Sequence, residues 1–172
     1  MTSTQIDLNA DLGEGFGAWA PSADAELLPL VTSANVACGF HAGDPVWMRE
    51  TVALALRHGV TIGAHPGYPD LLGFGRRELA ASPAEVAAYV VYQVGALAAV
   101  ARAAGTRVRY VKPHGALYNR AARDPDVALA IAEAVRGIDP ELALLGLAGS
   151  ALVRAAESVG LRAVREAFLD RG

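Results

Sequence analysis

Four short segments hold most of the residues in this chain that could carry acid–base, metal or anion chemistry. They are Asp11-Leu-Gly-Glu14-Gly15, Cys38-Gly-Phe-His41-Ala-Gly-Asp44, His65-Pro-Gly-Tyr-Pro-Asp70 and Lys112-Pro-His114-Gly-Ala-Leu-Tyr118-Asn119. The chain has 4 histidines, and His41, His65 and His114 lie in these segments while His58 does not. Imidazole titrates near neutral pH and also ligates metals. Three of them with the carboxylates Asp11 and Asp44 could therefore move protons around a polar substrate, or hold a divalent ion that activates water. Those five residues are the catalytic candidates. Lys112 could neutralise a carboxylate or a developing oxyanion. Asn9, Glu14, Asn35, Lys112, Tyr118 and Asn119 are the candidates for contacting substrate. Glycines at 13, 15, 39, 43, 67 and 115 would let backbone N–H groups approach a ligand closely.

Plainer readings apply to several of these residues. One histidine at a strand end is more often structural than catalytic, but three at equivalent positions point to a site. His58 reads as a solvent-facing side chain near a helix C-terminus, and Cys38 as a small buried apolar residue rather than a nucleophile. Gly13-Glu-Gly15-Phe-Gly17 has the look of a nucleotide loop, but no helix starts directly after it, and there is no Walker A sequence. Arg76-Arg77 reads either as an anion site or as a solvated surface pair.

Each of the four segments follows a predicted strand. Strands are expected at Ile6–Asn9, Ala34–Ala37, Thr61–Ala64, Val108–Lys112, Ala143–Ala148 and Ala163–Arg165. Helices are expected near Ala25–Leu30, Val46–His58, Pro83–Ala104, Pro125–Val135 and Ala151–Val159. Ser82-Pro83-Ala84-Glu85 supplies an N-cap, a proline at N1 and a glutamate that reaches back, which marks a helix start. Strand–helix alternation builds a parallel sheet, open or closed into a barrel. In the first strand Ile6, Leu8 and Ala10 alternate with Asp7, Asn9 and Asp11, and a polar face of this kind suits the inside of a barrel. The strand-end loops then converge on one mouth.

The composition sets outer bounds. The chain has 172 residues, enough for one domain with a core, and is 53% hydrophobic and 19% charged, which argues for a packed globule. A net charge of -3 offers no general attraction to nucleic acid or to anionic membrane. Met1–Gln5 lacks a signal-peptide layout, and the apolar stretch from Val86 to Ala104 is interrupted by Tyr, Gln, Gly and Arg, so no membrane span is expected. A single cysteine fits a reducing cytoplasm.

The segments Asp7–Gly17, Ser33–Asp44, Ile62–Asp70, Gly73–Arg77 and Val111–Asn119, in that order, resemble the LamB/YcsF family, to which the A component of the bacterial 5-oxoprolinase complex belongs. Glu166–Arg171 resembles a further family segment. The resemblance implies an irregular seven-stranded β/α barrel related to that of carbohydrate deacetylases. It implies opening of 5-oxoproline to glutamate with ATP (and magnesium) as cosubstrate, in company with separate B and C subunits. By analogy with the deacetylases, Asp11, His65 and His114 could form a metal set for hydrolysis of a sugar amide. A non-catalytic scaffold is the third alternative. Family members continue for several dozen residues past the segment resembling Glu166–Arg171. The expectation is therefore a single, truncated barrel domain over 1–172 with about six strands, open edges prone to self-association, and little activity of its own.

Overall fold

The structure, a computed structural model, describes residues 6–19 and 23–168; Met1–Gln5 and residues 169–172, which enter the sequence reading, lie outside it. The elements run β1 (Asn9–Leu12), α1 (Asp24–Leu27) with a 3-10 turn at Leu28–Leu30, β2 (Ser33–Ala37), α2 (Pro45–Arg57) and β3 (Thr61–His65). They continue with α3 (Pro83–Ala103), β4 (Tyr110–Val111), α4 (Gly115–Arg123), α5 (Pro125–Ile138), β5 (Ala143–Leu147), α6 (Ala151–Ser158) and β6 (Arg162–Glu166). All strand pairs are parallel, in the order β1-β2-β3-β4-β5-β6, and the sheet curls into a half-barrel.

Local chemistry accounts for most boundaries. Asp44, Ser82, Asp124 and Ser150 cap the starts of α2, α3, α5 and α6 with their side chains, and the box between Ser82 and Glu85 forms as expected. Two expectations fail. The first strand begins at Asn9 rather than Ile6: Leu8 accepts hydrogen bonds from Thr32 and Ser33, but Ile6 and Leu8 are exposed and lie outside the core. The stretch after His114, expected as a loop, is α4. Gly115 at its first position, with φ +54, conceals the helix from propensity-based reading.

By length and composition α3 could cross a membrane, which the sequence reading did not anticipate. In this fold Val86, Val90, Val94, Leu97 and Ala101 form a buried stripe at helical spacing, and α3 packs on α5, α2 and β3.

The apolar core lies between the outer face of the sheet (Ala34, Val36, Ile62, Ala64, Val111, Leu144) and the helices. The inner face is more polar. It carries a small separate cluster of Tyr110, Ala143 and Leu145, and above it the side chains that form the site. Asn35, Gly63 and Tyr110 are in register on β2, β3 and β4, and the Tyr110 hydroxyl donates to Asn35 Oδ1 at 2.7 Å. The tyrosine ring crosses β3 where Gly63 has no side chain. A Cβ there would fall within the ring.

Gly63→Ala should therefore push Tyr110 from Asn35 and loosen the inner face. The expected loss is about 1–3 kcal/mol of stability, read as a lower denaturation midpoint; an unchanged midpoint would show that the ring has room to move.

Candidate active site

The polar segments meet at the C-terminal ends of the strands. His65 ends β3, His114 is the residue before α4, and His41 lies in the β2–α2 loop; all three are buried. His41 and His114 stack with ring centroids 3.7 Å apart and planes within 2°, while His65 meets them edge-on at 5.5 and 4.9 Å. Glycine makes this packing possible. A Cβ on Gly67 would press on the His41 ring, and one on Gly75 would strike both His41 and His114.

Hydrogen bonds fix the ring nitrogens. His65 Nδ1 lies 2.7 Å from the Lys112 carbonyl oxygen, and His114 Nε2 lies 2.8 Å from that of Phe74. A carbonyl only accepts, so these two nitrogens carry protons and donate them. The other nitrogens, His65 Nε2 and His114 Nδ1, face each other at 3.0 Å. Asp11 Oδ1 lies 3.4 Å from His65 Nε2, and Glu14 Oε1 lies 3.6 Å from His114 Nδ1 and 3.3 Å from His41 Nε2.

Burial together with the neighbouring charge of His65 keeps His41 well below the usual imidazole range, and burial with His65 and His41 takes His114 down to about 3. Both are neutral rings at pH 7. Burial raises the Glu14 carboxyl. Burial also works against ionisation of Asp11, but His65, Lys112 and the Asn35 amide outweigh it and hold this carboxyl far below the carboxylate range.

A loop roofs the cluster. Phe74, with φ +53, occupies the left-handed region, where a side chain of its size is strained, and it presents the carbonyl that His114 needs. Asp70 anchors this loop by accepting from Gly73 N and from the Arg77 guanidinium, and Arg77 draws its carboxyl down to about 2. From below, Gln93 of α3 clamps Gly67 by donating to its carbonyl and accepting from its N–H, at 2.9 and 3.0 Å.

Several expected site residues sit differently. Asp44 is not in the cluster: one carboxylate oxygen accepts from Val46 N and Trp47 N at the start of α2 and the other from Gly17 N, so its role is to cap and to tie loops. Asn9 and Asn35 belong to the inner wall. The Asn35 amide donates to Asn9 and Asp11 at 2.6 and 2.8 Å. Lys112 points into the mouth as expected, but the protein's own groups engage it: Glu166 Oε1 at 2.6 Å, Asn9 Oδ1 at 3.1 Å and Asp11 Oδ1 at 3.5 Å. It is not a free cation awaiting a substrate carboxylate. Tyr118 also donates to Glu166, at 2.9 Å, from one turn into α4. The Arg76-Arg77 alternatives divide between the two residues. Arg77 pairs with Asp70, while Arg76 lies over the Phe74 ring at 5.3 Å and has no carboxylate partner among the described residues.

Two hollows reach the cluster. One of about 300 Å³ is polar and lined by Asp11, His65, Arg76, Lys112, His114, Tyr118, Asn119 and Phe168. The other, about 680 Å³, runs from Glu14 and His41 along Phe16, Trp19, Leu71, Leu72 and Phe74. A third, of about 590 Å³ between α1 and α2, lies away from the histidines.

Sequence reasoning missed Glu166 as the partner of Lys112, and the supports Asp70 and Gln93. Asp70 was visible as a carboxylate seven residues before an arginine, whereas nothing in the sequence distinguished Gln93 from any polar residue of a helix.

A curled parallel sheet whose strand ends converge on buried histidines and carboxylates has the layout of a β/α-barrel enzyme centre. The model of the LamB/YcsF family matches residues 6–172, and the chain belongs to this family. It is 61% identical over 166 residues to the A component of 5-oxoprolinase from Geobacillus thermodenitrificans strain NG80-2, a match covering 96% of this chain and 64% of that protein. It is 60% identical to the corresponding 5-oxoprolinase component of Bordetella pertussis strain Tohama I, over 96% of this chain and 66% of the relative. The chain thus spans just under two thirds of the length of these relatives. The lactam utilization protein of Thermus thermophilus, known from a crystal structure, superposes with a TM-score of 0.96 at 55% identity, over 98% of this chain and 68% of that one.

Two outcomes follow from this geometry. Lys112→Met leaves Glu166 buried without its cation, so stability should fall by about 3 kcal/mol or more, and a second change, Glu166→Gln, should restore much of it; equal melting of wild type and single variant would refute the pairing. Cys38 is fully buried and its thiol is pushed up to about 12. A thiol reagent at pH 8 should label it only after denaturation, and rapid labelling of native protein would overturn that placement.

Proposed function

We propose that this chain supplies the lactam-opening site of an ATP-consuming 5-oxoprolinase, acting as its A component together with B and C subunits. The observation that carries this reading is the buried group of three histidines facing Asp11 and Glu14, beside a polar pocket whose wall carries the cation Arg76. The names of the relatives, which call them A components of 5-oxoprolinase, support it.

A lactam carbonyl is a weak electrophile, and phosphorylation of its oxygen by ATP makes the ring carbon open to water. Water adds to that carbon, the ring nitrogen takes a proton as the C–N bond breaks, and a second water releases phosphate from the resulting acyl phosphate to leave glutamate. Asp11, ionised throughout, orients the attacking water. The proton that water gives up as it adds to the carbon passes to the departing nitrogen, and Glu14 is held at the edge of the cluster by His41. Arg76 holds the ring carboxylate, the task first expected of Lys112, and Asn119 borders the same pocket.

The test is glutamate release from 5-oxoproline with ATP and the full set of subunits. His65→Ala should reduce turnover by at least 100-fold; undiminished turnover would leave the chain as a scaffold. Arg76→Gln should raise KM by roughly ten-fold or more with kcat little changed, as loss of a charge-assisted hydrogen bond predicts. A KM equal to that of wild type would remove Arg76 from the carboxylate site.

A further inference from the structure

The inner nitrogens of His65 and His114 face each other closely enough that a positive centre, an ion or a proton, must lie between them. Both outer nitrogens donate to backbone carbonyls, so when the rings are neutral both inner nitrogens are bare lone pairs, and they face each other at 3.0 Å. Two acceptors at that distance repel unless a positive centre lies between them. The acidic groups beside them, Asp11 and Glu14, add negative potential that favours such a centre.

We infer that a divalent transition-metal ion, with Zn²⁺ the best fit, binds between His65 Nε2 and His114 Nδ1, with Glu14 as its third protein ligand. Four features of the geometry agree. The outer N–H of each ring is held by a backbone carbonyl, the arrangement that orients metal-bound histidines and fixes their tautomer. Nitrogens 3.0 Å apart, each about 2.1 Å from a common ion, subtend roughly 90° at it, and opening the gap by about 0.4 Å gives the tetrahedral angle. Their planes cross at 86°, so lone pairs from two different directions can converge on one point. Glu14, His65 and His114 each offer a ligand atom, and these atoms lie within 4.8 Å of one another, the compass of a single coordination shell.

His41 falls within the same radius but is not a ligand in this arrangement. Its ring is stacked parallel to that of His114, so the lone pairs of the two lie in separate parallel planes and do not meet at one ion. Its Nε2 instead faces Glu14, while its Nδ1 is buried without a partner among the described residues. An orphaned acceptor costs less than an orphaned N–H, which places the proton on Nε2, donating to Glu14. His41 therefore orients the carboxylate that binds the ion. Asp11 is held by the Asn35 amide and Lys112 and borders the pocket, where it can accept a hydrogen bond from a metal-bound water. This set differs from the Asp11, His65 and His114 set expected by analogy with deacetylases: Glu14 replaces Asp11 as the carboxylate ligand. The chemical use of the ion, polarising an amide oxygen or activating water, rests on the hydrolytic reading above. Its binding does not, so the two fail separately.

The experiment uses chelator-treated protein without substrate, titrated with Zn²⁺ and, as a spectroscopic probe, Co²⁺. One equivalent of Zn²⁺ should bind and raise the melting temperature, and Co²⁺ should give visible absorption bands of a nitrogen- and oxygen-ligated ion. His65→Gln and His114→Gln should abolish the Co²⁺ spectrum. Glu14→Gln, at the less buried edge of the site, should weaken affinity at least ten-fold, and Asp11→Asn by much less. His41→Gln should leave one equivalent bound. Absence of stoichiometric Zn²⁺ and Co²⁺ binding by wild-type protein would overturn the inference whether or not the variants fold. A far-downfield N–H resonance in that protein would then identify a shared proton in the ion's place. A Co²⁺ spectrum unaffected by Glu14→Gln but lost in Asp11→Asn would overturn the ligand assignment.

Discussion

The curl of the sheet is tied to one buried cation. Lys112 is the only lysine in the chain. It stands just past the end of β4 with 6% of its surface exposed. A charge so placed needs oppositely charged or polar partners, since an unpaired one would cost several kcal/mol. Its partners come from the two ends of the strand order: Asn9 and Asp11 on β1, and Glu166 on β6. A flat sheet would keep both edge strands far from β4. Bending it inward brings them to the lysine, and the same bend gathers the strand-end histidines into one mouth.

The clustered histidines are held mainly by backbone. The Lys112 and Phe74 carbonyls set the tautomers of His65 and His114, and glycines at 67 and 75 let loops pass against the rings at contact distance. The strained conformation of Phe74 is sustained by the hydrogen bonds that Asp70 accepts from Gly73, Gly75 and Arg77 around it. Small residues and main-chain atoms cannot rotate out of place, which suits a site where a few tenths of an ångström decide whether lone pairs converge.

Much of this was legible in the sequence, and the exceptions have physical causes. The parallel alternation, the capping of α3 and the convergence of His41, His65, His114 and Asp11 follow from periodicity and from the common position of the loops. β1 was placed three residues early because apolar Ile6 and Leu8 continue its alternation, although both are exposed. α4 was hidden by Gly115. Asp44 carries the same carboxylate as a catalytic residue would, and only its distance to Gly17 and Val46 shows it to be a cap. Lys112 was read with the correct orientation and the wrong availability, because its neutraliser, Glu166, lies 54 residues away. Contacts at that separation leave no trace in local pattern.

The strand order has a consequence for synthesis. Each strand pairs with the strand that precedes it in sequence, so the sheet can grow in the order in which a ribosome delivers it, one β/α unit upon the last. The closing contacts do not share that locality: Asn9 waits 103 residues for Lys112, and Lys112 a further 54 for Glu166. Until Glu166 emerges, Lys112 lacks its nearest counter-charge and the mouth lacks one wall. A nascent chain can therefore be largely folded while its one buried lysine still waits for its counter-charge.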